Sequence, residues 1–390
     1  MQKRFQYYLS TVQNLISLYK GEMPLAAFLK NYFAKNKKHG STDRKQISHL
    51  CYCYYRLGKS LPNKAFSEKI MIAIFLCNQQ PKEYAFLYSE DWLINWSENF
   101  SERFFFIEKK YGDFSVENIF ENTDFIGFDY KISFIKSHLT QPNLFLRIRP
   151  NHETTVKDKL AKNNIVFEQI DASCLALNNG IKVEEILKLN KEVVVQDYSS
   201  QQIGTFMQLV KQNSKQPLFV WDCCAASGGK SILAKDILGE MNLTVSDIRP
   251  SIIANLKKRF DEAGIKKYES FIADISKQHA ASKKYQFIIC DAPCTGSGTW
   301  ARTPEQLIFF NEKSVEDFVA LQKSIAINAL KSLQNNGYFL YITCSVFKKE
   351  NDEVVDFILK ETNVTLVEKK YFEGYALKAD TMFAALLKKP

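Results

Sequence analysis

The pattern of hydrophobic and polar positions changes twice along the chain and predicts three parts. In residues 1–130, aromatic and aliphatic side chains recur at helical spacing, as they do between 47 and 57, and this predicts a helical domain. In residues 131–192, the stretch 144–149 alternates between apolar and polar side chains and a polar helical stretch follows it. This second pattern predicts a small α/β module.

The remaining residues, 193–390, repeat an apolar run followed by a helical stretch. The five apolar runs are 218–222, 243–247, 269–273, 286–290 and 338–342. This repetition predicts an α/β domain built on a doubly wound, Rossmann-like parallel sheet. Ligands of such sheets bind at the carboxyl ends of the strands, so the residues that directly follow these runs are the candidates for chemistry.

An excess of basic residues favours a polyanionic partner. The 390 residues include 52 Lys and Arg against 43 Asp and Glu, which gives a formal net charge of +9. A basic stretch in the helical part is formed by Lys35, Lys37, Lys38, His39, Arg44, Lys45 and Arg56. It could contact nucleic acid or be a solvated helix face. Arg147 and Arg149 share one face of their strand, where they could meet phosphates or protect an exposed sheet edge.

The cysteine pattern and the N-terminal sequence bear on the location of the protein. Nine cysteines, an odd number without Cys-x-x-Cys spacing, predict reduced thiols and no metal site. The first residues lack the apolar core of a signal peptide, and the chain has no run of about 20 apolar residues. We therefore expect a soluble, cytoplasmic monomer without a membrane partner.

The turn after the first apolar run of residues 193–390 has the composition of a cofactor loop. It consists of Cys224, Ala225, Ala226, Ser227, Gly228, Gly229 and Lys230. Small residues let the backbone approach a ligand, and the start of a helix offers free amides to a carboxylate. Asp247, one βα unit later, could accept hydrogen bonds from ribose hydroxyls, and Asp274 follows the third run. Because the glycine spacing of a phosphate loop is absent, S-adenosylmethionine fits this turn better than ATP.

Two cysteines follow the last two apolar runs, on the same predicted edge of the sheet. Cys294 stands in an Asp-Ala-Pro-Cys segment that begins at Asp291, and Cys344 stands in Thr-Cys-Ser. A thiolate that adds to carbon 6 of a pyrimidine makes carbon 5 nucleophilic, and a second thiol could help to reverse the addition. Asp291 could hydrogen-bond the cytosine ring. Lys230 and Arg302 are cations that could favour ionisation of a thiol.

Three motifs in combination resemble the signatures of the Sun-type, RsmB-like RNA 5-methylcytosine methyltransferases. They are the segments 224–230, 291–298 and 341–345, and the similarity covers most of the chain from about residue 140. The helical N-terminal part resembles the NusB-like domain of the ribosomal members. The resemblance implies a class I methyltransferase sheet over 193–390, preceded by an RNA-binding α/β module over 131–192 and a NusB-like RNA-binding domain over 1–130.

By this resemblance the chain is an RNA (cytosine-5-)-methyltransferase that uses S-adenosylmethionine. Cys344 would be the nucleophile and Cys294 would assist release of the methylated base. Asp291 would serve in catalysis and would line the cofactor site together with 224–230, Asp247 and Asp274. Small-subunit (16S) rRNA is the favoured substrate, with large-subunit rRNA and tRNA as alternatives. The family usually has proline where Ser227 stands, but serine can cap a helix, so we expect cofactor binding to survive.

Two other functions compete with this interpretation. In a DNA cytosine methyltransferase the cysteine that follows proline, Cys294, would be the nucleophile, and Cys344 would have no role. The chain could instead be an RNA-binding ribosome assembly factor that keeps the methyltransferase fold as a scaffold but no longer catalyses methyl transfer. The intact motifs argue against that second alternative.

Overall fold

The computed structural model describes residues 2–79, 83–121, 123–277 and 283–390. Fifteen α-helices and eleven β-strands lie in these described ranges. The helices are α1 Gln2–Leu18, α2 Leu25–Lys35, α3 Ser41–Arg56, α4 Phe66–Cys77, α5 Glu90–Ile94, α6 Phe100–Lys110, α7 Lys131–Ser137, α8 Glu153–Lys162, α9 Tyr198–Gln202, α10 Gly204–Gln212, α11 Gly229–Leu238, α12 Pro250–Glu262, α13 Gln306–Phe309, α14 Lys313–Leu330 and α15 Asp352–Glu361. The strands are β1 Leu144–Ile148, β2 Phe167–Gln169, β3 Cys174–Leu177, β4 Val193–Val195, β5 Leu218–Asp222, β6 Met241–Asp247, β7 Tyr268–Ile272, β8 Tyr285–Asp291, β9 Leu333–Thr343, β10 Thr365–Glu373 and β11 Thr381–Lys388.

The chain forms two compact units. The first contains residues 1–124, 129–141 and 300–311, and the second contains 125–128, 142–299 and 312–390. No helix in the described ranges is both long enough and apolar enough to cross a bilayer.

The first unit is helical, as its hydrophobic periodicity predicts. It contains α1 to α7 and the one-turn helix α13, and none of the eleven strands. Val12, Ile47 and Phe75 are fully buried in it, because each lies on the apolar stripe of its helix. The side chain of Glu305, just before α13, accepts a hydrogen bond of 2.9 Å from the backbone N–H of Leu25 at the start of α2.

The basic stretch of the first unit is only partly a charged surface. Arg56 and His39 are buried, whereas the other five members of the stretch are exposed. The Arg56 guanidinium donates to the carbonyl of His138 at 2.5 Å and to Oε1 of Gln141 at 2.8 Å. Arg56 therefore links α3 to the residues after α7. It neither faces solvent nor offers a surface to nucleic acid, so both interpretations of the stretch are wrong for this residue.

A small antiparallel sheet with strand order β2-β3-β1-β4 opens the second unit. The sheet and α8 bury an aliphatic cluster that includes Leu146, Val156 and Leu175. Strand β1 is internal, since it pairs with both β3 and β4. The expectation of a charged edge strand at Arg147 and Arg149 is therefore wrong.

Arg147 and Arg149 are also not placed to meet phosphates. Both guanidinium groups pair with the carboxylate of Asp236 on α11, at 2.6 and 2.7 Å. All three side chains are largely buried, with 5, 12 and 6% of their surface exposed. A carboxylate from the next layer of the fold takes the place that a phosphate would occupy in the first of the two alternatives.

The main sheet has seven strands in the order β10-β11-β9-β8-β5-β6-β7. Strands β7, β6, β5, β8 and β9 are parallel, as predicted, whereas β11 runs antiparallel to β9 and β10 antiparallel to β11. Strand β10 was not predicted from the sequence, because it is an exposed edge strand with almost no buried side chain. The Rossmann-like α/β fold class is confirmed, with this antiparallel pair as the addition.

One predicted helix is missing from the described part of the sheet. Between β7 and β8, the described residues 273–277 and 283–284 form turns, and 278–282 lie outside the described ranges. The chain visits β5, β6 and β7 in turn and then continues on the other side of β5 with β8 and β9. The carboxyl ends of β5 and β8 therefore flank the point at which strand order reverses, where open α/β sheets bind ligands.

Candidate functional site

The turn between β5 and α11 has the backbone conformation of a close-approach loop. Ala226 and Gly228 adopt positive φ angles of 44° and 83°. A Cβ atom on Gly228 would lie 2.6 Å from Cε1 of Phe260 on α12, so only glycine fits there without displacing that ring. The turn is fixed further by a hydrogen bond of 2.9 Å from the Ala225 N–H to the Ser246 carbonyl at the end of β6.

Ser227 does not cap α11, contrary to the expectation from the sequence. Gly228 occupies the N-cap position and no side chain caps this helix. The Ser227 hydroxyl instead accepts a hydrogen bond of 2.6 Å from the Arg259 guanidinium, which also donates to the Ser227 carbonyl at 3.0 Å. The residue that replaces the usual proline is thus held by a side chain from α12.

Asp247 ends β6 beside this turn and is already well supplied with donors. Its carboxylate accepts hydrogen bonds from the Ala226 N–H at 3.1 Å and from the Arg249 N–H at 3.0 Å, and it pairs with the Arg249 guanidinium. Burial acts to raise the pKa of Asp247, but these hydrogen bonds outweigh it and hold the pKa below its usual value. The carboxylate is therefore an ionised acceptor that faces the cofactor turn.

The other two predicted carboxylates follow β7 and end β8. Asp274 accepts hydrogen bonds from Ser276, and these lower its pKa. Asp291 pairs with Lys230 at 3.3 Å, and the ammonium group of Lys230 also donates to the Ser200 hydroxyl at 2.7 Å. Lys230 is therefore engaged with Asp291, whereas Arg302, the other cation considered for thiol ionisation, belongs to the first unit.

A cavity of about 500 Å³ at the strand ends brings most of the predicted residues together. Its lining includes Cys224, Ala226, Asp247, Asp274, Asp291, Cys294 and Cys344. Ala225, Ser227, Gly228, Gly229 and Lys230 support the turn without lining the cavity. The volume lies in the usual range for a small-molecule site, and the wall combines carboxylates, the small residues Cys224 and Ala226 of the turn, and apolar side chains such as Ile248 and Ile275. These features fit an adenosine-type cofactor.

A larger groove of about 810 Å³ lies at the opposite, amino-terminal ends of β5, β6 and β7. None of the predicted site residues lines it. Size alone therefore does not mark the candidate site. We base the assignment on the side chains that converge in the smaller cavity, because strand carboxyl ends are where such sheets bind ligands.

The two predicted cysteines face each other in this cavity. The Sγ atoms of Cys294 and Cys344 lie 3.3 Å apart, although the residues are 50 positions apart in the sequence. The hydrogen bond with the Cys344 thiol, together with burial, raises the pKa of Cys294 well above its ordinary value. The pair therefore holds on to a proton at Cys294 while both thiols are free.

A buried carboxylate, Glu350, holds the two cysteine-bearing loops together. Its Oε1 accepts from the Thr295 N–H at 2.9 Å and from Nε2 of Gln322 at 3.0 Å, and its Oε2 accepts from the hydroxyls of Thr295 and Ser345 at 2.6 and 2.5 Å. Thr295 follows Cys294 and Ser345 follows Cys344. The side chain is fully buried, and the described residues offer it hydrogen-bond donors and no ion pair.

Asn351 and Gly298 fix the backbone on either side of Cys344. Asn351 accepts from the Thr343 hydroxyl at 2.5 Å and donates to the Ser345 carbonyl at 2.9 Å. The Gly298 N–H donates to the Cys344 carbonyl at 2.9 Å, and a Cβ on Gly298 would lie 2.0 Å from the Thr381 carbonyl oxygen. Sequence reasoning assigned no task to these residues or to Glu350. Their only signal was that Gly298 ends the second motif and that the resemblance to the Sun-type family extends to Glu350 and Asn351 after the third motif.

Comparisons with known proteins confirm the Sun-type resemblance. Residues 206–387, somewhat less than half of the chain, match the family model described as 16S rRNA methyltransferase RsmB/F. The chain is similar to a probable ribosomal RNA small subunit methyltransferase B of Bacillus subtilis (strain 168), at 26% identity over 256 residues, which are 62% of this chain and 54% of that protein. It is also similar to the 28S rRNA (cytosine-C(5))-methyltransferase of Mus musculus, at 25% identity over 233 residues, which are 53% of this chain and 29% of that protein.

The chain thus spans about half the length of its bacterial relative and less than a third of its mouse relative. Among solved structures, it is similar to the crystal structure of PH0851, with a TM-score of 0.68 and 18% sequence identity. That similarity covers 92% of this chain and 93% of the other. It shows a shared fold across both units of the chain.

Proposed function

We propose that this chain, whose residues 206–387 match the RsmB/F methyltransferase family model, is an S-adenosylmethionine-dependent RNA cytosine-5 methyltransferase. The observation that carries the proposal is the pair of thiols of Cys294 and Cys344, 3.3 Å apart in one cavity with Asp247 and Asp291. A methyltransferase acting on oxygen or nitrogen has no need of two thiols. Methylation of a pyrimidine carbon needs one to add to the ring and gains from a second that completes the reaction.

Ribosomal RNA is the proposed substrate, and a cytosine of the small-subunit RNA is the first choice. The bacterial relative is named for the small subunit and the mouse relative for 28S rRNA, so a large-subunit cytosine is the alternative within the same class. A tRNA is a further alternative. The exposed lysines of the first unit, such as Lys37 and Lys38, would add sequence-independent attraction to the RNA backbone. We place the protein in the cytoplasm, as a monomer.

The cofactor half of the cavity would be formed by the turn 224–230, Asp247 and Asp274. When S-adenosylmethionine is bound there, it supplies an electrophilic methyl group. The Asp247 carboxylate lines the cavity and would accept hydrogen bonds from ribose hydroxyls. Its lowered pKa keeps it in the ionised form that accepts such bonds. The positive φ angles at Ala226 and Gly228 turn the backbone so that it can pass close to the ligand.

The substrate half would be formed by Cys344, Cys294 and Asp291. The Cys344 thiolate forms a bond to carbon 6 of the cytosine, and the electron pair of the 5,6 double bond makes carbon 5 the nucleophile that takes the methyl group. Asp291, held by Lys230 at 3.3 Å, hydrogen-bonds the ring and, by sharing a proton with the ring nitrogen, stabilises the electron density that accumulates there. Removal of the proton from carbon 5 restores the double bond as the carbon–sulfur bond breaks.

Cys294 is proposed to take that proton. Its pKa is raised chiefly by the hydrogen bond with Cys344, and this cause disappears once the Cys344 sulfur is bonded to the pyrimidine. The pKa of Cys294 then falls, Cys294 releases its own proton to solvent, and the resulting thiolate accepts the proton from carbon 5. Because the two sulfurs are only 3.3 Å apart, bond formation by Cys344 directly changes the protonation of Cys294. Attack by one cysteine therefore prepares the other for the release step.

Bisulfite sequencing tests the proposal directly. Purified protein with S-adenosylmethionine is incubated with unmodified rRNA and tRNA, beside the Cys344→Ala variant. We expect one or a few newly protected cytosines in rRNA that are absent with the variant. Protected cytosines in tRNA alone would show that tRNA, and not rRNA, is the substrate. If the protein binds S-adenosylhomocysteine but protects no cytosine in either RNA, the assembly-factor alternative is favoured.

The division of labour between the cysteines has its own test. Cys294→Ala should attack but not release, and we expect a covalent protein–RNA adduct that survives denaturing electrophoresis. The adduct should vanish in the Cys294→Ala, Cys344→Ala double variant. An adduct formed by Cys344→Ala instead would reverse the two roles, as in the DNA-type alternative.

A further inference from the structure

Three cysteine thiols converge directly behind the candidate cofactor turn. The Sγ atoms of Cys223, Cys224 and Cys290 all lie within 4.8 Å of one another. Cys223 and Cys224 follow β5, and Cys290 lies in the adjacent parallel strand β8, where the Cys223 N–H donates to the Ile289 carbonyl at 2.9 Å. Sheet pairing therefore brings Cys290 to two neighbours that precede it by more than 60 positions.

The cluster is not explained by the proposed methyl transfer. Cys223 and Cys290 are almost fully buried, with 1 and 0% exposed, and neither has a task in the reaction of Cys294 and Cys344. Only Cys224 belongs to the cofactor turn. A buried cysteine is ordinarily a small hydrophobic side chain, but three thiols at ligand spacing are also the donor set that thiophilic metal ions select.

A buried carboxylate beside the cluster lacks a partner for one of its oxygens. Asp222, the residue before Cys223, is fully buried. Its Oδ2 accepts from the Ser231 hydroxyl at 2.6 Å, whereas its Oδ1 has no hydrogen-bond partner in the described part of the chain. An unpartnered buried carboxylate oxygen is costly, and a cation would satisfy it.

We propose that Cys223, Cys224 and Cys290 form a three-thiolate binding site for a divalent thiophilic ion, zinc by preference. The Asp222 carboxylate is not one of the atoms at ligand spacing and serves as a nearby negative charge that favours a cation. Zinc is bound tetrahedrally by cysteine and carboxylate ligands. At a zinc–sulfur distance of about 2.3 Å, the sulfurs of a tetrahedral site lie about 3.8 Å apart. Because no two of the three sulfurs are more than 4.8 Å apart, they would have to approach by at most about 1 Å.

Binding balances in charge and protons. Zn²⁺ displaces one proton from each of the three thiols, and the three thiolates leave a net charge of −1 before Asp222 is counted. The filled site therefore carries a net negative charge. No oxidation or reduction takes place, because zinc has no redox chemistry here.

Cobalt(II) is the probe for the test, because it occupies tetrahedral zinc sites and its thiolate charge-transfer absorption grows with the number of sulfur ligands. Reduced, full-length protein is titrated with Co²⁺ and then with Zn²⁺. We expect one Co²⁺ per chain with the absorption of three thiolates, displaced by one equivalent of Zn²⁺. Cys290→Ala should lose at least a third of that absorption and bind zinc at least tenfold more weakly.

Two matched variants separate this site from the other thiols. Cys174→Ala removes a buried free cysteine of the same unit outside the cluster, and Cys344→Ala removes one of the pair in the substrate half. Both should keep the full signal. A signal that survives Cys290→Ala, or one that disappears with Cys344→Ala, would overturn the assignment, as would reduced, folded protein that binds no Co²⁺.

X-ray absorption on zinc-loaded wild-type protein covers the case in which Cys290→Ala fails to fold. Three sulfur ligands support the cluster, since the Cys294 and Cys344 pair can supply only two. Two sulfur ligands or fewer would refute it. None of these readouts depends on methyl transfer, so the zinc site and the proposed function can fail separately.

A consequence for the cofactor follows, and it rests on the proposed function. Cys224 would serve both the metal and the cofactor turn, so the two ligands should influence each other reciprocally. We expect zinc to weaken S-adenosylhomocysteine binding at least threefold in wild-type protein and not in Cys290→Ala. An equal affinity for S-adenosylhomocysteine with and without zinc would refute this coupling. It would leave the zinc site itself, which the cobalt titration tests separately, unaffected.

Discussion

Two buried carboxylates in the second unit are stabilised in different ways. Asp236 lies between the guanidinium groups of Arg147 and Arg149, at 2.6 and 2.7 Å. Glu350 has four hydrogen-bond donors from uncharged groups at 2.5 to 3.0 Å and no ion pair in the described ranges. The first joins the small sheet to α11, and the second joins the two cysteine loops.

The two carboxylates therefore have different roles: Asp236 stabilises the fold, and Glu350 positions the two cysteine-bearing loops. Opposite charges neutralise Asp236, so its loss would leave two buried cations unpaired, which is a large cost to folding. Glu350 draws short segments of two loops to one point, and directed hydrogen bonds fix orientation better than a diffuse attraction between charges does. We expect changes at Asp236 to appear mainly in stability and changes at Glu350 mainly in activity.

Asp236→Ala should show the largest effect. Removing the shared partner of two buried guanidinium groups is expected to lower the free energy of unfolding of the second unit by about 3–5 kcal/mol. Urea unfolding followed by tryptophan fluorescence measures it, because Trp221 is fully buried in the main sheet. Arg149→Ala, which leaves Asp236 one cation, is the control and should cost less. A loss below about 1 kcal/mol would mean that the buried pairs are dispensable.

Glu350→Gln should lower the methyl-transfer rate by about 100-fold, since a displacement of reacting groups by about 1 Å has that effect. The amide keeps the shape but offers one acceptor oxygen to donors that now use two. Single-turnover methyl transfer gives the rate, and calorimetry with S-adenosylhomocysteine should give an affinity within about threefold of wild type. If cofactor affinity and melting temperature fall with the rate, Glu350 supports the fold as Asp236 does.

Asp43 extends the comparison to a more exposed carboxylate of the first unit. Hydrogen bonds from Tyr8, then Arg4 and the Gly40 N–H, lower its pKa to about 2. Because the folded-state pKa lies below the unfolded value of about 3.9, its contribution is present above pH 4 and is lost as the pH falls toward 2.

Asp43→Asn should therefore reduce stability at pH 6 by no more than about 1 kcal/mol, since solvent screens the pair. The difference from wild type should shrink on acidification to pH 3 and below. Urea unfolding at several pH values provides the measurement. A difference that is constant with pH would show that the carboxylate charge contributes nothing.

Ser227→Pro should have the smallest effect. The serine lies in the cofactor turn, does not line the cavity, and accepts a hydrogen bond of 2.6 Å from the Arg259 guanidinium. Restoring the family's usual proline is expected to change S-adenosylhomocysteine affinity by less than about fivefold, the equivalent of about 1 kcal/mol. Gly228→Ala is the matched control, because its positive φ and the contact with Phe260 predict a far larger loss. A gain above tenfold in Ser227→Pro would show that the fixed φ angle limits binding.

The parallel strands were predictable and the edge of the sheet was not. The run 218–222 coincides with β5 and is buried apart from Phe219, so apolar side chains mark it in the sequence. Strand β10 carries charged side chains and is exposed, so it lacks the period that identifies a strand. Arg147 and Arg149 misled for a related reason, since their spacing indicates a shared face but not what covers that face.

The candidate site divides in the same way. The motif residues Cys224, Asp291, Cys294 and Cys344 could be proposed from their positions after apolar runs. The task of Glu350 could not, because its four donors come from segments around positions 295, 322 and 345. The cysteine spacing predicted no metal site, and the cluster that we propose for zinc depends on the pairing of two strands.

Three properties follow from the amino-acid sequence alone: the order of most helices and strands, the edge of the sheet at which the candidate site lies, and the residue types available there. These properties are local, because periodicity and turn residues act within a few positions of the chain. Which side chains meet is a property of the folded chain: Cys294 lies against Cys344, Cys290 lies near Cys223 and Cys224, and Asp236 pairs with two arginines. Such contacts depend on strand order and packing between layers, and the one-dimensional pattern does not record the distances that these create.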